Sequence, residues 1–391
     1  MSLSGYLTTL TQALTDLQCN EVHPVCGGCQ RHGVQCVYTS PTLKTPIGHE
    51  VKNASKNAPE KVANKLAVEY PESAQRRLLE LRLLTQWVTK SAFTFPGSDE
   101  KDYREGMLLG VPKSALESPA WLNIVLAFSA IHIAKTSSSP TEQREFMDVF
   151  HKYLDLGLQE HRRDVDNLCR EKANAVCMTS SLVRNCMQAM FQDRDLVPYS
   201  PPAQYLHMSN GSGDVFKTAW DWVSEDKTCL AWRLGTTGPD LSDLKELFGE
   251  KKRKGFSHLL HRSPADLKFE PWDSETQSAY ELTLSFIGGI QIAVDDGERP
   301  EHTFRRIIAF PMFIPKRFIE LVDERQPRAL VFLAHYFSFL SRLRGIWWVG
   351  DAGRREIGAI QEALESPWVE QLDWPLKKME EVWNIRPWEY F

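Results

Sequence analysis

Apolar residues recur every three or four positions through most of the chain from residue 72 onward, the spacing of one face of an α-helix. A first helix is indicated by the apolar residues Leu78, Leu79, Leu81, Leu84 and Val88. Further helices are predicted over residues 119–134, 141–164, 167–191, 214–223, 274–294, 315–323, 327–349 and 354–365, with a final helix from Trp368. The period-two alternation of strands is nearly absent. Residues 72–391 are therefore predicted to form one large α-helical domain, and the fold class is mainly all-α.

The first 71 residues have a different character. Residues 1–40 contain a dense group of cysteines, and residues 41–71 carry Pro41, Pro46, Pro59 and Pro71 among polar residues without apolar periodicity. Such a composition is typical of a flexible linker. The predicted organisation is thus a cysteine-rich segment over 1–40, a linker over 41–71 and a helical domain over 72–391.

Charge and hydropathy exclude several classes of protein. The 46 Lys and Arg against 51 Asp and Glu give a net charge of −5, so the chain is not held on nucleic acid by its overall charge. No apolar run reaches the roughly 20 residues that span a bilayer, so no membrane partner is expected. No Lys or Arg precedes Arg31, which disfavours a secretory signal peptide. We expect an intracellular protein.

The cysteines fall into two groups. Cys169, Cys177, Cys186 and Cys229 are scattered through helical sequence and are interpreted as core thiols. Cys19, Cys26, Cys29 and Cys36 follow the spacing C-x6-C-x2-C-x6-C. In an intracellular protein such a dense group indicates a metal site, and a C-x2-C turn lets two thiolates reach one zinc. The alternatives are four unrelated loop cysteines, or ligation in which His23 or His32 takes part.

The same residues resemble half of the motif of the fungal binuclear zinc-cluster transcription factors. In that family C-x2-C-x6-C is followed by a short proline-containing loop and by C-x2-C-x6-C. The four cysteines correspond to the third to sixth of the motif, Pro24 to its loop proline and Tyr38 to a closing aromatic residue. This resemblance implies zinc as the cofactor, bound by Cys19, Cys26, Cys29 and Cys36.

The other half of the motif is absent at the positions expected for it. Ten and seven residues before Cys19 stand Thr9 and Gln12 instead of cysteines, and residues 12–18 contain one acid and no base. Four thiolates can hold one zinc, but they cannot complete a two-zinc cluster with ordinary bridging. The family reads DNA with basic residues in this helix, so DNA binding is expected to be weak or lost.

The helical domain resembles the regulatory domain of the sterol-uptake-control branch of that family, in residues 121–134, 310–311, 327–336, 347–348 and 374–376. The resemblance implies a domain that senses a hydrophobic small molecule. Ten aromatic residues could line a pocket or form an ordinary core: Phe286, Phe310, Phe313, Phe318, Phe332, Tyr336, Phe337, Phe339, Trp347 and Trp348. The pair Gly288-Gly289 indicates either close helix contact or room for a ligand.

Two further clusters have a simple interpretation. The basic run Lys251 to Lys254 is read as a solvated helix end rather than a nuclear-import signal. His258 and His261 are read as a surface pair rather than a metal site, since no HExxH motif accompanies them. Neither a P-loop nor a nucleophile-elbow motif occurs, and no enzymatic activity is expected.

The sequence therefore predicts a nuclear transcription regulator of RNA polymerase II genes, with a degenerate DNA reader and a helical ligand-sensing domain. The alternative is a regulatory protein that does not bind DNA and acts through protein–protein contacts. Pairing with a second copy or with a relative that has a complete reader stays open, as does the direction of regulation.

Overall fold

The computed structural model describes residues 73–97, 100–262, 270 and 272–383. The predicted cysteine-rich segment, the linker and all four predicted zinc ligands lie outside these residues. The chain divides into two compact units at Leu81 and Arg82, so the described residues 73–81 belong to one unit and the rest to the other.

The all-α prediction is confirmed over the described residues, in which every regular element is helical. The α-helices are α1 (Ala74–Thr89), α2 (Lys101–Glu105), α3 (Val111–Ala115), α4 (Pro119–Thr136), α5 (Pro140–Asp166), α6 (Arg170–Phe191), α7 (Ala203–Glu225), α8 (Leu230–Gly235), α9 (Leu244–Leu247), α10 (Ser274–Asp295), α11 (Pro300–Phe313), α12 (Lys316–Asp323), α13 (Pro327–Leu340), α14 (Ala352–Ala363) and α15 (Asp373–Trp383). Short 3₁₀ helices cover Ser91–Thr94, Glu250–Leu260, Ser341–Leu343 and Trp368–Leu372, and Gly106–Gly110 forms a π-helical turn.

Local sequence explains where several helices begin. Ser118, Ser139 and Asp273 each accept a hydrogen bond from a backbone N–H in the first turn of the helix that follows, at 3.3, 3.4 and 2.7 Å. These side chains satisfy donors that the first turn of a helix leaves without partners. Pro119 and Pro140 then occupy first-turn positions, where the missing N–H costs nothing.

Helix α13 forms the centre of the larger unit. Every residue from Arg328 to Leu340 is buried, so this helix has no solvent-facing side after its first residue. It packs against α10, α11, α12, α14 and α15. A helix that is apolar all round is typical of the middle of a large core.

Several elements differ from the sequence prediction, and α13, which was predicted to reach residue 349, ends at Leu340. Helix α7 begins at Ala203 rather than near Asp214, although Ser209-Asn210-Gly211-Ser212-Gly213 are weak helix formers. A tertiary contact compensates, because the Asn210 side chain donates to the carbonyl of Ile314 at 2.9 Å. Helix α11 lies between the predicted helices over 274–294 and 315–323, where the sequence analysis gave no helix. Pro311 lies in its last turn, two residues before the last residue of the helix.

The region before α10 also differs from its predicted form. The basic run that was interpreted as a solvated helix end lies in a 3₁₀ helix over Glu250–Leu260, in which Phe256 and Leu259 are buried. It lies on α10 at Gly288, where a Cβ atom would come 2.0 Å from the carbonyl oxygen of Lys252. Of the two interpretations of Gly288-Gly289, the structure therefore shows close helix contact.

Candidate functional site

Two neighbouring clefts open beside Trp368, at the beginning of α13. The first has a volume of about 470 Å³, and His258, His261, Arg262 and Gln371 contribute to its lining. The second measures about 430 Å³ and is lined in part by Tyr199, Leu330 and Leu364. Trp368 and Pro367 belong to both clefts. Binding sites for small molecules commonly have volumes of about 300–1,000 Å³.

A buried ion pair forms the polar wall of these clefts. The Nε and Nη2 atoms of Arg328 donate to the two carboxylate oxygens of Glu270 at 2.5 and 3.0 Å. The Arg328 side chain is 2 % exposed and that of Glu270 5 %. The guanidinium also lies 5.4 and 5.0 Å from the ring centres of Trp272 and Trp368. Because the planar cation is held on several sides, it is a fixed charge in the wall of the clefts.

A second buried ion pair supports the far side of the second cleft. Arg194 donates from Nε and Nη2 to Glu356 at 2.5 and 2.7 Å. The hydroxyl of Tyr199 donates to the same carboxylate at 3.4 Å. Burial raises the pKa of Glu356, and the charge and hydrogen bonds of Arg194 oppose that change. This arrangement fixes Tyr199 between the end of α6 and helix α14.

The histidine pair and the basic run occupy this side of the molecule with different degrees of exposure. His258 and His261 are both exposed. Within the described ranges, no group of three or more metal-binding side chains comes together. Two of the four basic residues are engaged in ion pairs, Lys252 with Glu246 at 2.8 Å and Arg253 with Glu281 at 3.0 Å. Of the four, only Lys251 and Lys254 are exposed. Half of the basic run is therefore engaged in contacts within the domain, and the other half faces solvent.

The aromatic residues of the C-terminal half form a packed core. Phe310 and Tyr336 stack with ring centres 4.0 Å apart, and Phe286 meets the edge of Phe310 at 5.8 Å. Phe318 and Phe332 stack at 6.2 Å, and Tyr280 makes an edge contact with each of them. The clefts beside Trp368 touch this core only at its surface, through Phe332.

The scattered cysteines are mainly core residues. Cys177 and Cys186 are buried, and Cys169 and Cys229 are half-buried. Burial raises the pKa of Cys177 to about 12, and it raises the pKa of Cys186 still further. Thiols that are kept protonated in this way are unreactive, which agrees with their interpretation as core residues.

Comparison with known proteins identifies relatives of the chain. Residues 17–45 match the family described as the fungal Zn(2)-Cys(6) binuclear cluster domain. A Zn(2)-C6 fungal-type transcription factor of Aspergillus fumigatus, afumD, is 28 % identical over 82 % of this chain and 81 % of its own. The chain is similar to fungal Zn(2)-C6 transcription factors. A second such factor, from Gibberella zeae, is 23 % identical over 92 % of this chain and 82 % of its own.

A more distant relative bears on the predicted branch of the family. Sterol uptake control protein 2 of Candida albicans is 22 % identical over 67 % of this chain, but the match covers only 36 % of that protein. This similarity supports a distant relation to the sterol-uptake-control proteins. The similarity does not show that this chain binds the same ligand as those proteins.

These similarities decide several predictions at the level of the family. The relatives are named as transcription factors, a non-enzymatic class, so the prediction that the chain is not an enzyme is confirmed. Transcription regulation, DNA binding and zinc binding are confirmed as properties of the Zn(2)-C6 family that the chain matches. Members of this family are generally nuclear. No helix in the described part of the chain is both long and apolar enough to cross a bilayer.

Proposed function

We propose that this chain is a nuclear regulator of RNA polymerase II genes, with a zinc-bound segment over residues 1–40 and a helical regulatory domain over residues 72–391. The observation that carries the proposal is the match of residues 17–45 to the zinc-cluster family, in a chain that resembles two fungal factors over most of its length.

One zinc ion is the expected content of the N-terminal segment. Cys19, Cys26, Cys29 and Cys36 supply four thiolates, which is the ligand number of a structural zinc site. A two-zinc cluster with bridging thiolates needs the further pair of cysteines, and Thr9 and Gln12 stand at the positions expected for them.

Weak DNA binding is the second part of the proposal. Residues 1–30 contain no Lys or Arg, so this segment offers no cation to the phosphate backbone. Phosphate contacts supply much of the affinity of DNA-binding proteins, and arginine or lysine contacts commonly read guanine. The alternative function, regulation through protein–protein contacts alone, is favoured by the same observation. A dimer with a relative that has a complete DNA-binding segment would combine regulation through protein–protein contacts with binding to DNA.

Zinc content and DNA affinity test both parts. We expect the purified full chain, kept under reducing conditions, to contain about one zinc, and the Cys26→Ser and Cys29→Ser variants to lose it. Cys169→Ser, a half-buried thiol far along the chain, is the matched control and should retain zinc. In a salt-titrated binding assay we expect no sequence-selective complex with duplex DNA near 150 mM salt.

Each result has a distinct consequence for the proposal. A tight, sequence-selective complex at that salt concentration would contradict the proposal of weak DNA binding. The proposal that the chain is a transcription regulator would remain. A chain without zinc under reducing conditions would defeat the metal site.

The clefts beside Trp368 are the proposed ligand site of the regulatory domain. Their walls combine apolar residues, Val331, Phe332, Leu330 and Leu364, with the ion pair of Arg328 and Glu270. A hydrophobic molecule with one polar group, such as a sterol or a long-chain fatty acid, has the matching chemistry.

We expect a bound hydrophobic ligand to raise the melting temperature of the full chain. At about 100 times its Kd a ligand adds about 2.7 kcal/mol to the free energy of unfolding. Trp368→Ala, which removes the wall shared by both clefts, should abolish the rise. Trp383→Ala, which removes a half-buried tryptophan stacked between Arg344 and Arg354, is the control and should retain it. A flat melting temperature across sterols and fatty acids would count against the site.

A further inference from the structure

The first of the two clefts beside Trp368 is lined by side chains that donate hydrogen bonds or carry positive charge. The polar side chains among the described residues of its lining are His258, His261, Arg262, Arg328 and Gln371. None of these side chains is a carboxylate. The second cleft differs, because Glu270 and Glu365 line it together with Arg325. The two neighbouring clefts therefore differ in the charge of their linings.

Contacts between three segments of the chain hold the polar groups of the first cleft together. The Nη1 atom of Arg328, at the start of α13, donates to the backbone carbonyls of Leu259 and His261, the latter at 3.2 Å. The Arg328 guanidinium also lies 5.0 Å from the ring centre of Trp368. The end of the preceding 3₁₀ helix, the first turn of α13 and the segment that begins at Trp368 therefore meet at this cleft.

One carboxylate serves both arginines of this lining. Glu270 accepts from Nε and Nη2 of Arg328 at 2.5 and 3.0 Å, so both of its oxygens are engaged by that side chain. Arg262 lies farther from Glu270, with 3.5 Å between its Nε atom and Oε2, and its side chain is 17 % exposed. The Arg262 guanidinium lies 4.6 Å from the ring centre of Trp272. Two positive charges and one negative charge therefore stand together beside the first cleft.

This lining distinguishes among the polar groups that an apolar ligand can carry. A carboxylate only accepts hydrogen bonds, and guanidinium, imidazole N–H and amide N–H groups all donate them. Hydrogen bonds between charged partners are about twice as strong as neutral ones, and attraction between charges is stronger at a partly buried surface than in water. An alcohol obtains the hydrogen bonds without the ionic attraction, and an ammonium group is repelled by the arginines. The first cleft therefore favours an acid.

We propose that the ligand of the regulatory domain is an amphipathic carboxylic acid, whose carboxylate binds in the first cleft beside Arg262 and the two histidines and whose apolar part lies against Trp368. This inference rests on the proposed ligand site, and it narrows the ligand from a hydrophobic molecule with any polar group to an acid. Arg328 is already engaged by Glu270 and by two backbone carbonyls, so Arg262 is the cation assigned to the ligand.

Three molecules with the same apolar chain and different polar groups test the proposal: decanoic acid, 1-decanol and decylamine. Their binding to the full chain is measured by isothermal titration calorimetry at neutral pH, at concentrations at which none of them forms micelles. We expect the acid to bind about ten- to a hundredfold more tightly than the alcohol, and the amine to bind least tightly.

Variants locate the carboxylate within the clefts. Arg262→Gln removes the second cation and leaves the buried ion pair in place, so it should weaken binding of the acid about tenfold and leave that of the alcohol unchanged. His261→Gln, at an exposed position, should weaken binding of the acid about threefold. Arg306→Gln is the matched control, because Arg306 is a half-buried arginine that is paired with Glu298 at 2.9 Å and lines neither cleft. This variant should still prefer the acid.

The outcomes separate this inference from the ligand site on which it rests. An alcohol that binds as tightly as the acid would overturn the inference and leave a ligand site beside Trp368. Equal losses of acid binding in Arg262→Gln and Arg306→Gln would also overturn it, because the carboxylate would then not be bound in the first cleft. If neither these three molecules nor a sterol binds, the proposed ligand site fails and the inference fails with it.

Discussion

Replacing Gly288 by alanine is expected to lower the free energy of unfolding by about 3 kcal/mol. The new Cβ atom would lie 2.0 Å from the carbonyl oxygen of Lys252 and 2.7 Å from its carbonyl carbon. Overpacking costs about 1–3 kcal/mol, and the upper end applies because the neighbour is backbone and cannot rotate away. The 3₁₀ helix Glu250–Leu260 would have to move off α10. Urea-induced unfolding of the full chain measures the loss.

The adjacent glycine provides a matched control for this substitution. A Cβ atom at Gly289 would meet only the Cδ atom of Lys252, at 3.4 Å, which is an ordinary contact with a flexible side chain. Gly289→Ala should therefore raise the free energy of unfolding by about 0.5–1 kcal/mol, the usual gain when alanine replaces glycine inside a helix. Equal effects of the two substitutions would contradict the close contact at Gly288.

The glycine pair illustrates how far the sequence determines the fold. Helix α10 itself follows from the apolar spacing over residues 274–294. The two glycines within it indicate that another part of the molecule comes unusually close to the helix backbone. The identity of the partner does not follow, because Lys252 belongs to a polar stretch without helical periodicity. Its position depends on the burial of Phe256 and Leu259, which only the assembled domain provides.

The other differences have similar causes. Helix α4 was predicted almost to its ends because its apolar content is a local signal. The first half of α7 was not, since its stability comes from the contact between Asn210 and the carbonyl of Ile314. Intrinsic propensity is a weak guide wherever a tertiary contact satisfies the backbone.

The candidate sites also differ in how far local sequence predicts them. A zinc site built on C-x2-C can be predicted from the sequence because its ligands are near neighbours along the chain. The clefts beside Trp368 cannot, since His258, Arg328 and Trp368 come from three separate segments.

Acid is expected to unfold the domain near pH 5, because three buried histidines are held neutral in the folded state. The rings of His132, His161 and His335 are each at most 6 % exposed. His132 has Ser91 Oγ 2.8 Å from its Nδ1, and His161 has Ser180 Oγ 3.0 Å from its Nε2. His335 donates from Nδ1 to the carbonyl of Val331 at 2.8 Å.

Burial lowers the pKa of each of these histidines from 6.5 to about 4. The charge of Lys90 adds to the effect at His132, and that of His258 adds to it at His335. Asp164 opposes it at His161, as the Val331 carbonyl does at His335. None of the opposing groups outweighs burial.

The sign of the pH dependence follows from proton binding. Below pH 6.5 the unfolded chain takes up protons that the folded chain does not, so stability is fully present above pH 6.5 and declines as the pH falls towards 4. At pH 5 each histidine removes about 2 kcal/mol, and the three together remove about 6 kcal/mol. The total free energy of unfolding of a domain is typically about 5–15 kcal/mol.

Substitution at the histidines checks this explanation of acid sensitivity. His335→Leu replaces a ring whose Nε2 meets no partner among the described residues, so it removes one proton-uptake site without breaking a side-chain hydrogen bond to that atom. It should lower the pH midpoint of acid unfolding, measured by circular dichroism and tryptophan fluorescence, by about 0.3–0.5 units. His261→Gln, at an exposed position, should leave the midpoint unchanged. A free energy of unfolding that stays constant between pH 7 and pH 4.5 would mean that these rings are protonated within the folded domain, and that burial does not keep them neutral.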